Sequence, residues 1–266
     1  MEVNKLITLT TDFGLLDPYV SEMKAVMLSI SPEARIVDIT HNISKFNIRM
    51  GAFILSSALN YFPKGTIHVA VVDPGVGSQR RPLLIATKKG FLIGPDNGLL
   101  ILAAQKQGIK NVYELTNTNL MLNKVSNTFH GRDIFAPAAA YLLKGVTPMT
   151  FGPKTNELTK PIFAKVIKTK NTLIGQIIYI DDFGNIITNI PLDKSFQDLI
   201  GQKLNIKLST SNLIIKFCKT YSEVKIGELL ITIGSHGFLE ISANQNNAGK
   251  ILNIKPGTEI VVNISR

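Results

Sequence analysis

Ala70-Val71-Val72-Asp73-Pro74-Gly75-Val76-Gly77-Ser78-Gln79-Arg80-Arg81 joins an apolar run to a carboxylate, a turn through proline and glycine, and a pair of arginines. The run starts at Thr66, after the turn Pro63-Lys64-Gly65, and its mostly β-branched and apolar character, interrupted by His68, reads as a buried parallel strand. In α/β folds the carboxyl ends of such strands carry the chemistry. Asp73 with Arg80 is therefore a candidate constellation, set against the plainer reading of a surface ion pair in a loop.

Working outward, the first half alternates strand-like and helix-like segments. Lys5 to Thr10 reads as a first strand ending at Thr11-Asp12-Phe13-Gly14, and Tyr19 to Ile30 places Val20, Met23, Met27 and Ile30 at helical spacing after Asp17-Pro18. Arg35 to Ile39 is a second strand and Met50 to Tyr61 a second helix. Leu83 to Thr87 and Gly90 to Gly94 form a hairpin over Lys88-Lys89, and Pro95-Asp96-Asn97-Gly98 starts a helix reaching about Gln107. Phe129-His130-Gly131-Arg132-Asp133 then precedes a helix through Ala136 to Leu143, with Pro137 in its tolerated first turn and Asp133 as its expected N-cap.

From about Phe151 the texture changes. Gly152 to Pro161 is linker-like, and after it come short β-rich runs: Pro161 to Lys168, Thr172 to Ile180, Leu204 to Leu208, Leu213 to Phe217, Leu229 to Ile233, Phe238 to Ile241 and Glu259 to Ile264. A weak helical pattern lies near Ser195 to Ile200. The expected fold is an α/β N-terminal domain, residues 1–160, with a central mostly parallel sheet and flanking helices. A small all-β, barrel-like antiparallel C-terminal domain, residues 161–266, follows it.

Composition excludes several function classes. With 266 residues, 45% hydrophobic and 18% charged, the chain is globular and can bury a sizeable core. No apolar run approaches the roughly 20 residues that span a bilayer, and Met1-Glu2-Val3-Asn4-Lys5 lacks a basic leader, so a cytoplasmic protein without membrane contact is expected. The lone Cys218 rules out an intramolecular disulfide or a multi-cysteine metal site, and His41, His68, His130 and His236 show no ligand spacing, so no metal is expected. A net charge of +10 suits an anionic partner, yet the lysines are scattered and tryptophan is absent. A solvated basic surface without nucleic-acid binding is the expectation.

Three loops of the first half put a carboxylate or histidine where a strand ends or a helix begins: Thr11-Asp12-Phe13-Gly14, Asp73 with Arg80, and His130-Gly131-Arg132-Asp133. Along one sheet edge they can converge. With Met23-Lys24, Gly94-Pro95-Asp96-Asn97-Gly98, Asp181-Asp182-Phe183-Gly184-Asn185, Thr188-Asn189 and Gly234-Ser235-His236-Gly237-Phe238-Leu239-Glu240-Ile241, they resemble, in family order, the S-adenosylmethionine (SAM) hydroxide adenosyltransferases. These are the SAM hydrolases related to the fluorinating and chlorinating enzymes.

The resemblance implies hydrolysis of SAM to adenosine and methionine by water attacking ribose C5′, with SAM as substrate and no cofactor. It implies Asp73, Arg80 and His130 as the catalytic set, with Arg81 as the alternative to Arg80, and it leaves open whether Asp73 or His130 receives the proton. Asp12 would accept the ribose hydroxyls. Asp181, or Asp182 beside it, and Ser235 would hold the methionine ammonium and carboxylate. Asn185 and Phe183 would meet the adenine. His236 stands where an apolar or aromatic residue is expected. The family further implies a homotrimer whose sites lie between the N-terminal domain of one subunit and the C-terminal domain of its neighbour. Two alternatives stand beside hydrolysis: halide transfer from SAM, and a non-catalytic SAM or adenosine sensor.

Overall fold

The computed structural model describes residues 4–160, 165–192, 194–209 and 211–264. The chain divides into two compact units, Met1–Ile162 and Phe163–Arg266. The first unit contains strands β1 (Leu6–Thr11), β2 (Arg35–Thr40), β3 (Ile67–Val71), β4 (Pro82–Thr87), β5 (Phe91–Pro95) and β6 (Ile109–Glu114). Its helices are α1 (Tyr19–Ile30), α2 (Ile48–Ala58), α3 (Ile101–Gln107) and α4 (Ala136–Leu143). The six strands form one sheet in the order β2-β1-β3-β5-β4-β6, parallel from β2 to β5 and antiparallel on both sides of β4.

Alternation along the strands sends side chains to two cores. Ile7 and Leu9 of β1 and Ile67, Val69 and Val71 of β3 pack with Met23 and Met27 of α1 and the alanines of α4. Ala70, Val72, Leu83, Ile85 and Leu92 face the other way, onto Leu55 of α2 and Ala103 and Ala104 of α3. Helices thus cover both faces, as a mostly parallel sheet requires. Thr8 and His68 also face inward, and the buried ring is satisfied by Thr8 Oγ1 at 2.8 Å from its Nδ1.

The chain runs from β1 to β2 on one side and then crosses to β3 on the other, so the strand order reverses between β1 and β3. Thr10 pairs with Thr40 and with Ala70, and Thr11 with Val71. The strand ends carrying His41, Asp12 and Asp73 are therefore level. This is the crevice position at which open α/β sheets bind ligands.

The second unit holds β7 (Ile167–Lys168), β8 (Thr172–Ile180), β9 (Ile186–Pro191), β10 (Lys203–Leu208), β11 (Ser211–Phe217), β12 (Leu229–Ile233), β13 (Phe238–Ala243), the short helix α5 (Ala248–Leu252) and β14 (Glu259–Asn263). Pairing runs β14-β10-β11-β12-β13-β9-β8 and returns from β8 to β14, closing a seven-stranded barrel with β7 added along β8. Leu204, Ile206 and Leu208 of β10 alternate inward with Ile260 and Val262 of β14, and Ile215, Phe217, Ile231 and Ile241 complete the filling.

Several expectations are corrected here. The barrel is not wholly antiparallel, because β11 and β12 run parallel. β6, β9 and α5 add to the expected elements. The pattern near Ser195 is a 3₁₀ turn, Lys194–Leu199. Of the run expected over 161–168, residues 161–164 lie outside the described residues. Cys218 is buried immediately after β11.

Candidate active site

The turn after β3 is held by its own backbone. Val76 N–H donates to Asp73 O at 3.2 Å, Ser78 N–H and Oγ donate to Gly75 O at 3.1 and 2.7 Å, and Ser78 Oγ accepts from Arg80 N–H at 3.3 Å. Gly77 sits at φ +77°, and a Cβ there would lie 2.2 Å from Asn127 O, so only glycine lets this turn touch the loop leading to His130. The turn returns Arg80 onto Asp73. Nε donates to Oδ1 and Oδ2 at 3.0 and 2.9 Å, and Nη2 donates to Oδ2 at 2.6 Å. Both side chains are nearly buried, and the guanidinium lies over the Phe135 ring at 5.4 Å.

Arg80 Nη2 also lies 2.7 Å from His130 Nδ1. A guanidinium has only donors, so Nδ1 accepts and the imidazole proton resides on Nε2. Burial and the neighbouring Arg80 cation hold His130 below its ordinary pKa, against the opposing pull of Asp73 and Asp133. The three groups form one chain, carboxylate to guanidinium to neutral imidazole. Arg80 Nη1 is buried and has no hydrogen-bond partner among the described residues.

Arg81 points elsewhere. Its Nε and Nη2 donate to Asp96 Oδ2, at 3.1 and 2.5 Å, and it also donates to Thr155 Oγ1 and Glu157 O. It ties segment 155–159 to the end of β5 and contributes nothing to the Asp73 cluster.

Asp12 follows β1 and is 5% exposed. Its Oδ2 accepts from Phe46 N–H at 2.8 Å, and Lys45 Nζ donates to its carbonyl at 2.5 Å. Asp12, Asp73 and His130 open on one cavity of about 740 Å³. Three rings on its wall, Phe13, Tyr19 and Phe129, meet edge to face with centroids 5.2–5.9 Å apart. Such a wall suits a flat apolar ligand.

In the turn after β8, Asp181 Oδ1 accepts from Asn185 N–H at 2.8 Å and Oδ2 from Asn185 Nδ2 at 2.9 Å. Asp182 and Phe183 project into solvent, and Ser235 and His236 occupy an exposed turn between β12 and β13. Burial, with Asp181 and then Glu240 nearby, pushes Tyr179 up to about 12. Among the described residues no group of three or more His, Cys, Asp or Glu side chains is placed to hold a metal ion.

The SAM hydroxide adenosyltransferase N-terminal domain matches residues 7–152, and the C-terminal domain of the same family matches residues 175–261. The chain belongs to this family. An (R)-S-adenosyl-L-methionine hydrolase of Methanocaldococcus jannaschii is 41% identical over 98% of this chain and 97% of its own length. A protein of the same name from Salinispora tropica is 34% identical over 96% and 97%. A fluorinase of an Actinoplanes species is more distant, at 27% identity over 97% of both chains. Among solved structures, an uncharacterized conserved protein from Thermotoga maritima superposes with a TM-score of 0.92 at 35% identity, covering 96% of this chain and 99% of that one.

In the first unit Asp12, Asp73 and His130 line one cavity, and Arg80 lies behind it, bonded to Asp73 and His130. Asp181, Phe183 and Asn185 share one turn of the second, and Ser235 sits on another turn of that unit. Sequence reasoning missed Phe46, whose backbone adopts φ +64° while its ring, 69% exposed, borders the cavity. A left-handed phenylalanine leaves no mark in composition. The one local signal is Asn47, whose side chain caps α2 by accepting from Met50 N–H and so fixes the chain just after Phe46.

Asp133 is corrected as well. The helix opens with a π turn, Gly131–Phe135, preceded by His130, and no side chain caps it. Asp133, wholly buried, instead accepts from Ser126 N–H at 2.8 Å and from Arg132 Nε at 2.7 Å, and Arg132 Nη1 reaches Glu22 at 2.8 Å. These bonds brace the wall segment that carries Phe129 and His130.

Proposed function

We propose that this protein hydrolyses S-adenosyl-L-methionine to adenosine and L-methionine, with water attacking ribose C5′ in line with the C–S bond. The observation that carries this reading is the carboxylate–guanidinium–imidazole chain opening on the same cavity as Asp12. A sulfonium leaves as a neutral thioether and needs no general acid. What the reaction needs is a held, polarised water, and alignment alone can supply up to about 7–11 kcal/mol of barrier reduction.

In this mechanism Asp73 orients the water and takes its proton as the O–C5′ bond forms, while the C–S electron pair departs on sulfur. Arg80 holds the Asp73 carboxylate in place through its Nε and Nη2 donors. His130, with its Nδ1 engaged by Arg80, has no free acceptor nitrogen, so it contributes its Nε2–H as a donor and the proton goes to Asp73. Asp12 offers a two-oxygen acceptor to the ribose hydroxyls. Asp181 and Ser235 serve the methionine end, and Asn185 and Phe183 the adenine. Residues 1–160 form the nucleoside and catalytic domain, and 161–266 complete the substrate site. No resident cofactor takes part, and the reaction is cytoplasmic.

We further propose a homotrimer in which the second unit of a neighbouring subunit completes each cavity. Support comes from large apolar side chains left in solvent on loops near the cavity, Leu15, Leu16 and Phe46, and on the Asp181 turn, Phe183. A carboxylate at the nucleophile position repels an anion in a partly buried site, which disfavours halide transfer.

The test is incubation of the purified protein with (R)- and (S)-sulfonium SAM separately, with and without chloride, followed by chromatography. Adenosine and methionine formed independently of halide are expected, from the (R) form that the relatives' names specify. Formation of 5′-chloro-5′-deoxyadenosine indicates halide transfer, and binding without products indicates a sensor.

A further inference from the structure

His41 is 4% exposed, its Nδ1 hydrogen-bonded and its Nε2 at ion-pair distance from a carboxylate without meeting hydrogen-bond geometry, although it is no part of the catalytic cluster. Nδ1 lies 2.9 Å from Thr11 Oγ1 and Nε2 lies 3.1 Å from Asp38 Oδ1, while Asp38 Oδ2 accepts from Lys24 Nζ at 2.6 Å. Burial raises the Asp38 pKa, but Lys24 and His41 outweigh it and hold the carboxyl below its ordinary value. The chain Lys24–Asp38–His41–Thr11 runs from the edge of the sheet to the residue before Asp12.

The polarity of that chain is set by Asp38, a carboxylate that can only accept: it places the ring proton on Nε2, and in the neutral ring Nδ1 accepts from the Thr11 hydroxyl, whose oxygen also accepts from Phe13 N–H at 3.2 Å. Nδ1 is then an acceptor, and the Nε2–H faces Asp38. His41 also uses its carbonyl, which accepts from Gly14 N–H at 2.8 Å. His41 therefore meets Thr11 through its ring and Gly14 through its carbonyl, on the two sides of Asp12. The following segment meets the carboxylate itself, at Phe46 N–H.

We infer that His41, oriented by Asp38, is a positioning residue that sets the Asp12 carboxylate for the ribose hydroxyls. This rests on the assignment of Asp12 to the ribose. One hydrogen-bonded strut removed from behind a binding carboxylate corresponds to about a tenfold loss of affinity. The loss falls on ligands bearing both hydroxyls, because only they use the carboxylate's full geometry.

The experiment is calorimetric titration of the full-length protein with adenosine and with 2′-deoxyadenosine, for wild type, His41→Phe, His41→Asn, Asp38→Asn and Asp12→Ala, with steady-state kinetics on SAM. His41→Phe is expected to weaken adenosine about tenfold and 2′-deoxyadenosine less than about twofold, raising KM with kcat within about threefold. His41→Asn, whose amide can still accept from Thr11, restores most of the discrimination. Equal weakening of both nucleosides, or unchanged discrimination, in His41→Phe overturns the inference. Where His41→Phe does not fold, the same ratio in Asp38→Asn decides it. Unchanged adenosine affinity in Asp12→Ala overturns the ribose assignment first and the inference with it, whereas a normal Asp12→Ala loss beside an inert His41 overturns the inference alone.

Discussion

Asp73 and Arg80 are seven positions apart, and the turn between them closes a nearly buried ion pair. Replacing Asp73 by Asn keeps the shape and removes the base. The expected result is a fall in kcat of about 10²–10⁴-fold with SAM affinity within about threefold, read by single-turnover kinetics and equilibrium binding. Residue types made this pair a candidate beside a plain surface ion pair, and the family resemblance supplied its catalytic reading. What the sequence left open was which arginine returns. Adjacent side chains diverge, and the partner that settles the matter, Asp96, reads in sequence as part of a helix start. A second consequence at this scale concerns His68, buried against Thr8 with its pKa lowered by burial from 6.5 to about 3. The unfolded chain protonates it near 6.5 and the folded protein does not. Its contribution is therefore full above pH 6.5 and lost as pH falls toward 3, on the order of 5 kcal/mol across the window. His68→Gln is expected to flatten that part of the stability curve, measured by urea unfolding at a series of pH values.

At the scale of elements, the turn after β3 and the loop before His130 meet at Gly77. Gly77→Ala adds about 1–2 kcal/mol of left-handed backbone cost and also drives a methyl group into Asn127 O. Gly145, at φ +94° with open space around it, supplies the control. Gly145→Ala carries the backbone cost alone and is expected to leave kcat unchanged. Gly77→Ala is expected to lower kcat by about tenfold to a hundredfold as Arg80 and His130 separate, measured by kinetics alongside unfolding. The strands of the parallel core were legible as short runs rich in β-branched and apolar residues that end at polar ones. β6 was not, since Ile109-Lys110-Asn111-Val112-Tyr113-Glu114 is a polar edge strand, and α5, five residues long, is too short for periodicity to register. The π turn at Gly131 also has no sequence mark beyond Pro137. That residue lacks an N–H for the Asp133 carbonyl, which accepts from Leu122 N–H instead.

For the whole molecule, the two textures of the sequence correspond to two architectures, a sheet with helices on both faces and a closed barrel. A barrel-like domain was expected from the short β runs, but the strand order that closes it was not legible, because it depends on β14 finding both β8 and β10, contacts far apart in the chain. If each site draws its catalytic half from one subunit and its methionine-binding half from the next, two dead variants complement. Refolding Asp73→Ala together with Asp181→Ala in equal amounts is expected to restore about a quarter of wild-type activity, the fraction of mixed trimer interfaces with both halves intact. Activity no higher than the separate variants shows instead that each subunit builds its own site. The cavity wall has one further consequence. Asp12, Asp17, Glu22 and Asp73 face Lys45 and Arg132, with Arg80 behind Asp73, so acids exceed bases by one within a chain of net charge +10. That local excess draws a sulfonium cation to a protein that otherwise repels it. Once the C–S bond breaks, the cation is gone and neither product carries net charge, so the attraction that loads the site lapses with the chemistry.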